Sequence, residues 1–267
     1  MQARRRPAEP ELVTTDGVVA CGHDLGAWRL REPLGRGGSA CVWTAVDGAG
    51  RVAALKIPNA HAADLLRHEH ALLAAFPHPN VVATFGIVFS RDCAALALEY
   101  LPGGDLVALA GSAPQHWLPA LRGVFAALRE LHAHGYTHCD VKARNVLFAT
   151  DDSPRLIDFA AARPLDAPLR RSIATASCTP AGASTSARAA DCFAFAALTY
   201  ELATGRLPYG AAGARFSGEA PPAAVHAAAD VAALLRCAER VLRAGGRVHD
   251  GLSVFADDIE SAFEAYC

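Results

Sequence analysis

Methionine occurs once in the 267 residues, and neither sign of charge dominates: 25 Lys and Arg stand against 27 Asp and Glu, a formal net charge of −2. That balance gives no electrostatic reason to expect nucleic acid or an anionic membrane as the main partner. Long hydrophobic runs are also lacking. No apolar stretch follows Arg4-Arg5-Arg6, so no secretory leader is read there, and the longest apolar run, after Cys192, is too interrupted to span a bilayer. Eight cysteines (Cys21, Cys41, Cys93, Cys139, Cys178, Cys192, Cys237 and Cys267) contain no C-x-x-C pair and no tight framework. That spacing argues against a disulfide scaffold and for a reducing interior. Internal repeats are absent, which excludes a solenoid. The expectation is a soluble, cytoplasmic or otherwise intracellular monomer without a membrane span. Residues 1–26, rich in proline and charge and without periodicity, are expected to form a mobile arm.

What the chain does contain is a spaced set of polar groups. His138-Cys139-Asp140-Val141-Lys142-Ala143-Arg144-Asn145 is followed, thirteen residues past the Asn, by Asp158-Phe159-Ala160. Asp140 is placed to meet an attacking hydroxyl and Lys142 to face a transferring phosphate. Asn145 and Asp158 offer hard oxygen ligands suited to magnesium. Val146-Leu147-Phe148 and Arg155-Leu156-Ile157 read as short strands joined by the turn Asp151-Asp152-Ser153-Pro154, which would bring Asn145 and Asp158 together.

This set resembles the catalytic loop and metal-binding triplet of eukaryotic-type protein kinases, H-R-D-x-x-x-x-N and D-F-G, with Cys139 in place of Arg and Ala160 in place of Gly. The upstream half continues the resemblance. Leu34-Gly35-Arg36-Gly37-Gly38-Ser39-Ala40-Cys41-Val42 is similar to the glycine-rich loop, with Ala40 at the third glycine, and its backbone N–H groups could approach phosphates closely. The apolar strand Val52-Ala53-Ala54-Leu55-Lys56 ends on a lysine fourteen residues after Val42, like the V-A-I-K lysine. A helix is expected over Asp64–Phe76, with Leu65, Leu72, Leu73 and Phe76 facing inward and Glu69 on the same face, where the resemblance makes it the partner of Lys56. Pro77 and Pro79 would end that helix. Ala94–Leu98 reads as a buried strand leading into Glu99-Tyr100-Leu101-Pro102-Gly103-Gly104-Asp105, which resembles the kinase hinge.

The resemblance covers roughly Trp28 to Tyr209 and implies an α+β, two-lobed protein-kinase-like fold. A small β-rich N-lobe would span about 27–100 and a larger helical C-lobe about 103–267. It implies ATP and magnesium as cofactors, with Leu34, Gly35, Gly37, Gly38, Val42, Ala54, Lys56, Glu99, Leu101 and Asp105 around the nucleotide and Asn145 and Asp158 on the metal. Protein substrates presenting Ser or Thr follow from Lys142, which marks serine/threonine kinases in the family. Asp105 would lie near ribose or substrate, or cap the next helix. Asp191, read as the first residue of a buried central helix, would bind the catalytic-loop backbone or cap its own helix.

The departures keep two other readings open. No A-P-E motif follows Cys178-Thr179-Pro180, and the activation segment is about ten residues short, which leaves Arg247 without its family partner. Together with the lost glycines this fits a pseudokinase that binds and signals by shape. An aminoglycoside-type phosphotransferase, which shares H-x-D-x-x-x-x-N and an Ile157-Asp158-Phe159-like strand, is the third reading. Cys139 also makes this a non-RD sequence: it carries no charge for a phosphate at Ser172, Thr175 or Ser177 to neutralise.

Overall fold

The computed structural model describes residues 12–14, 17–19, 22–37, 40–59, 63–90, 93–167, 186–210, 231–244 and 251–266. The chain divides into two compact units, Met1–Pro77 with Val82–Tyr100, and His78–Val81 with Leu101–Cys267.

Unit one is built on alternation. In β4 (Trp28–Arg36), Trp28 and Leu30 are buried while Arg29 and Arg31 are exposed. In β5 (Ala40–Asp47) Cys41, Trp43 and Ala45 point inward, as do Ala53, Leu55 and Ile57 of β6 (Val52–Pro58). Side chains two apart share a face, so these residues form one apolar core with Ala95 and Ala97 of β8 (Ala94–Glu99). The opposite face collects Val42, Ala54 and Lys56, with Val42 directly across from Lys56 and Ala54 across from Leu98. With β3 (Asp24–Leu25) and β7 (Thr84–Phe89), the antiparallel sheet has the order β3-β4-β5-β6-β8-β7. Pro33 breaks the β4–β5 register on both sides of itself, as a residue without an N–H must.

The sheet begins earlier than the sequence reading allowed. Leu25 pairs with Trp28 across a two-residue turn whose first residue, Gly26, has φ 58°, and Leu25 is buried in the core. Upstream, β1 (Leu12–Thr14) and β2 (Gly17–Val19) pair as a hairpin. The arm expected over 1–26 is therefore corrected: its last residues belong to the sheet, because Leu25 has apolar surface to bury beside Trp28.

Helix α1 (Ala63–Ala75) also corrects the expected pattern. Leu65 is exposed at 39%, whereas Leu66 is buried at 4% along with Leu72, Leu73 and Phe76. The inward stripe is Leu66, Glu69, Leu73 and Phe76, at spacings of three and four, so the buried face starts one residue later than expected.

Unit two centres on two helices. Helix α2 (Pro114–Ala133) buries Trp117, Leu121, Val124, Leu128 and Leu131 at helical spacing, and the Trp117 indole donates to Ser112 O at 3.1 Å. Helix α3 (Ala187–Thr204) is buried almost all round, the mark of a central helix. Ser186 caps it by accepting from Ala189 N at 3.2 Å. At its far end Gly205 takes φ 69° and donates to Glu201 O. A Cβ on Gly111 would stand 3.0 Å from Gly205 Cα, so the two chain segments meet closely there. Strands β9 (Tyr136–Thr137) and β12 (Arg163–Pro164) pair, and β10 (Val146–Phe148) and β11 (Pro154–Leu156) form the expected hairpin. Helices α4 (Ala232–Arg243) and α5 (Ala256–Glu264) follow among the described residues.

Candidate active site

In unit one, Lys56 Nζ donates to Glu69 Oε2 at 2.6 Å. Strand alternation turns Lys56 away from the apolar core, and Glu69 reaches it from the inward face of α1, buried to 1% exposure. A buried carboxylate is costly without a partner, so the pair fixes the α1 face to the β6 strand. Leu34, Gly35 and Gly37 are exposed at the end of β4, where Gly37 N donates to Ala40 O at 2.8 Å. Glu99 closes β8 by accepting from Ala83 N through Oε2 at 3.2 Å.

In unit two the catalytic-loop residues form one hydrogen-bonded cluster. Asp140 Oδ2 accepts from Lys142 Nζ at 2.7 Å and from Asn145 Nδ2 at 3.0 Å. The same Asn145 nitrogen donates to Asp140 O at 2.8 Å. With its N–H side used in this way, Asn145 keeps its amide oxygen as an acceptor, the chemistry a hard cation needs. Asn145 O in turn accepts from Ile157 N at 2.9 Å, which ties the loop to the residue before Asp158. Asp158 itself, two residues past β11, has φ 65° and ψ 68°, a left-handed conformation that starts the single turn Phe159–Ala161. A non-glycine residue held there costs about 1–3 kcal/mol, and such strain concentrates at functional positions.

Beneath the loop lies a second, buried layer. Asp191 is wholly buried, and its Oδ1 accepts from Cys139 N at 2.7 Å while Oδ2 accepts from His138 N at 2.8 Å. His132 Nε2 donates to the same Oδ2 at 2.9 Å. Because α3 starts at Ala187 and Ser186 is its cap, Asp191 is an interior helix residue; the expectation that it opens the helix is corrected. The His138 ring accepts from Asp140 N through Nδ1 at 3.2 Å, so its proton sits on Nε2 and is donated to Ile157 O at 3.0 Å. The ring packs edge-to-face with Phe159, with centroids 4.7 Å apart. His132 was missed by sequence reasoning; its signal was a histidine in the last turn of α2, six residues before His138.

Cys139 adopts φ 66°, held by its bond to Asp191, and its sulfur lies 3.2 Å from Thr137 Oγ1. Burial first, and the Asp191 carboxylate second, push its thiol up to about 12, so it is neutral across the physiological range. Asp105 accepts from Val107 N at 3.2 Å and so caps the turn Leu106–Leu109. Leu101, four residues before it, is buried, while Val42 and Ala54 are half-buried on the second face of the sheet. Gly38, Cys178-Thr179-Pro180, Ser172, Thr175, Ser177 and Arg247 lie outside the described residues. Among the described residues no helix is long and apolar enough to cross a membrane.

Comparison with known proteins agrees with this layout. Residues 28–220 match the family described as protein kinase domain. The chain is similar to serine/threonine-protein kinase pkn2 of Myxococcus xanthus, 30% identical over 208 residues, which is 69% of this chain and 25% of pkn2. It is similar to serine/threonine-protein kinase PkaA of Streptomyces coelicolor, 32% identical over 213 residues, covering 68% of this chain and 39% of PkaA. Serine/threonine-protein kinase Pkn1 of Myxococcus xanthus is 29% identical over 222 residues, covering 75% of this chain and 32% of Pkn1. The matched regions thus span about a quarter to two fifths of the length of these relatives.

Proposed function

We propose a phosphotransfer function from one premise: the chain belongs to the protein kinase family. It transfers the γ-phosphate of ATP to Ser or Thr hydroxyls of protein substrates. The observation that carries the reading is the Asp140 carboxylate, gathered with Lys142 at 2.7 Å and Asn145 at 3.0 Å on one short loop. Asp140 orients the substrate hydroxyl and accepts its proton as the new P–O bond forms. Lys142, bound to Asp140, places a positive charge where the transferring phosphoryl gathers negative charge. Lys56, steadied by Glu69, holds the α- and β-phosphates, and the loop backbone at Gly35, Gly37 and Gly38 covers the triphosphate, the absence of Cβ atoms there allowing close approach. Val42, Ala54 and Leu101 provide apolar contact for the base, Leu34 covers it from the loop, and backbone groups at Glu99 and Leu101 read its edge. Asp105 lies toward the ribose.

The donor set of Asn145 and Asp158 fits magnesium, since one supplies an amide oxygen and the other a carboxylate. When bound there, the ion neutralises phosphate charge and fixes the triphosphate geometry. The protein domain is proposed to run from the start of the β-sheet to the chain end.

The test is incubation of purified chain with magnesium and γ-labelled ATP, first with a mixed protein substrate and then with small amino sugars. Label recovered as phosphoserine and phosphothreonine is the expected result. Label on the sugar instead would assign a small-molecule phosphotransferase. ATP binding without any transfer would assign a binding module.

A further inference from the structure

Helix α1 is tied to the sheet of unit one through two neighbouring residues. Glu69 accepts from Lys56 of β6, and the next residue, His70, reaches β7, where its Nδ1 lies 3.2 Å from Thr84 Oγ1. That hydroxyl stands at an irregularity. Thr84 pairs with Leu98 but Gly86 with Ala97, so β7 carries one extra residue, Phe85, and bulges there. Gly86, at φ 107°, donates its N–H to Thr84 Oγ1 at 3.2 Å. The hydroxyl itself donates to Ala97 O at 3.4 Å. A carbonyl only accepts, so the Thr84 proton is used on β8, and His70 Nδ1 carries the proton that closes the third bond. One threonine oxygen thus joins the bulge, the neighbouring strand and the helix.

Helix geometry makes the place of that tie matter. Successive residues of an α-helix project about 100° apart, so Glu69 and His70 leave α1 in different directions. Strand β8 lies between β6 and β7, which sets the two anchoring strands roughly 10 Å apart. A helix tied at one point can roll about its axis, and a roll swings the Glu69 carboxylate off Lys56. The buried stripe of Leu66, Leu73 and Phe76 resists that motion only weakly, because apolar burial has no direction. A directed bond to a second strand removes the freedom.

We propose that His70 is a positioning residue: its Nδ1–H bond to Thr84 fixes the rotation of α1 and thereby keeps the Glu69 carboxylate on Lys56. The role is exercised through Glu69. Its consequence for catalysis, a lower kcat/KM for ATP when the bond is lost, rests on the phosphotransfer reading above, whereas the geometry at Lys56 does not.

The test exploits a feature of the composition: Lys56 and Lys142 are the chain's two lysines. Acylation of the native full chain by acetic anhydride, followed by mass spectrometry, reads each of them separately. The reagent attacks the unprotonated amine, which a carboxylate beside Lys56 disfavours, so the Lys56 rate reports whether Glu69 is in place, and Lys142 is the internal control. His70→Ala should speed Lys56 acylation roughly three- to tenfold, the size of one lost hydrogen bond, with Lys142 within about twofold of wild type. Thr84→Val, which keeps the shape and removes the hydroxyl, should do the same. His70→Asn, whose amide N–H can stand in for Nδ1–H, and Thr84→Ser should stay near wild type. In a Glu69→Gln background His70→Ala should add less than about twofold, because the residue it positions is already gone. A Lys56 rate in both His70→Ala and Thr84→Val within twofold of wild type would overturn the proposal. So would a parallel rise at Lys56 and Lys142, which marks general loosening, or a full effect of His70→Ala in the Glu69→Gln background. kcat/KM for ATP, measured on the same variants, should fall in parallel with the rise at Lys56. If the wild type transfers no phosphate but Lys56 acylation follows this pattern, the phosphotransfer reading fails and the positioning role of His70 stands.

Discussion

Replacing Asp191 should loosen the catalytic loop from below without touching any group placed at the phosphate. This carboxylate is wholly buried and accepts three hydrogen bonds, from Cys139 N at 2.7 Å, His138 N at 2.8 Å and His132 Nε2 at 2.9 Å. Hydrogen bonds to a charged acceptor contribute about 1.5–3 kcal/mol each, and they are not additive within one network. Asp191→Ala leaves buried donors unpaired, and breaking a buried charged network in this way costs roughly 3–5 kcal/mol. In a domain of this size that corresponds to a fall in Tm of roughly 6–20 °C. Asp191→Asn keeps one acceptor but turns an N–H group toward a donor, so about 1–3 kcal/mol is expected. The loss has a local signature as well. The φ of 66° at Cys139 is an unfavourable conformation for a non-glycine residue, and the bond to Asp191 helps hold it. Hydrogen exchange followed by mass spectrometry should show the His138 and Cys139 amides exchanging faster in both variants, beyond the change in global stability. A Tm for Asp191→Ala within about 2 °C of wild type, with unchanged protection at these two amides, would refute the reasoning.

Other outcomes follow from single observations. Lys56→Met and Glu69→Gln should each impair phosphoryl transfer, and the double variant should be little worse than the worse single one; additive losses in the cycle would separate the two residues. Leu66→Ala should cost about 2–5 kcal/mol by denaturant unfolding and Leu65→Ala about 0.5 kcal/mol or less, because Leu66 is buried at 4% exposure and Leu65 is exposed at 39%. Cys139 and Cys192, both pushed up to about 12 by burial, remain neutral thiols at pH 8, so iodoacetamide should leave them unlabelled in the native chain and label them after denaturation. Rapid native labelling of either would contradict that burial.

The sequence was most informative where spacing alone carries geometry. The strand carrying Lys56, which runs on to Pro58, the helix carrying Glu69 and the hairpin after Asn145 were all legible, since periods of two and about three and a half residues fix which side chains share a face. It was less informative where a choice depended on contacts from distant segments. Leu65 and Leu66 are chemically identical, and only packing on the sheet decides which is buried. Asp191 could as well have capped α3, and Ser186 takes that role because the helix begins five residues before Cys192. His132 was marked only by its place in the last turn of α2; its pairing with Asp191, 59 residues away, was not legible locally. The left-handed backbone at Cys139 and Asp158 was hidden as well, since cysteine does not announce a positive φ and aspartate, though enriched there, adopts it only in a minority of positions.

The most direct measurement of the central claim is single-turnover transfer of labelled phosphate from ATP to a protein substrate by the wild type and by Asp140→Asn, with nucleotide binding measured on both. Asn preserves the shape of the side chain but can neither take the hydroxyl proton nor pair electrostatically with Lys142. The account predicts that transfer falls about a hundredfold or more while ATP affinity stays within a fewfold of wild type. Transfer by Asp140→Asn at the wild-type rate would contradict it.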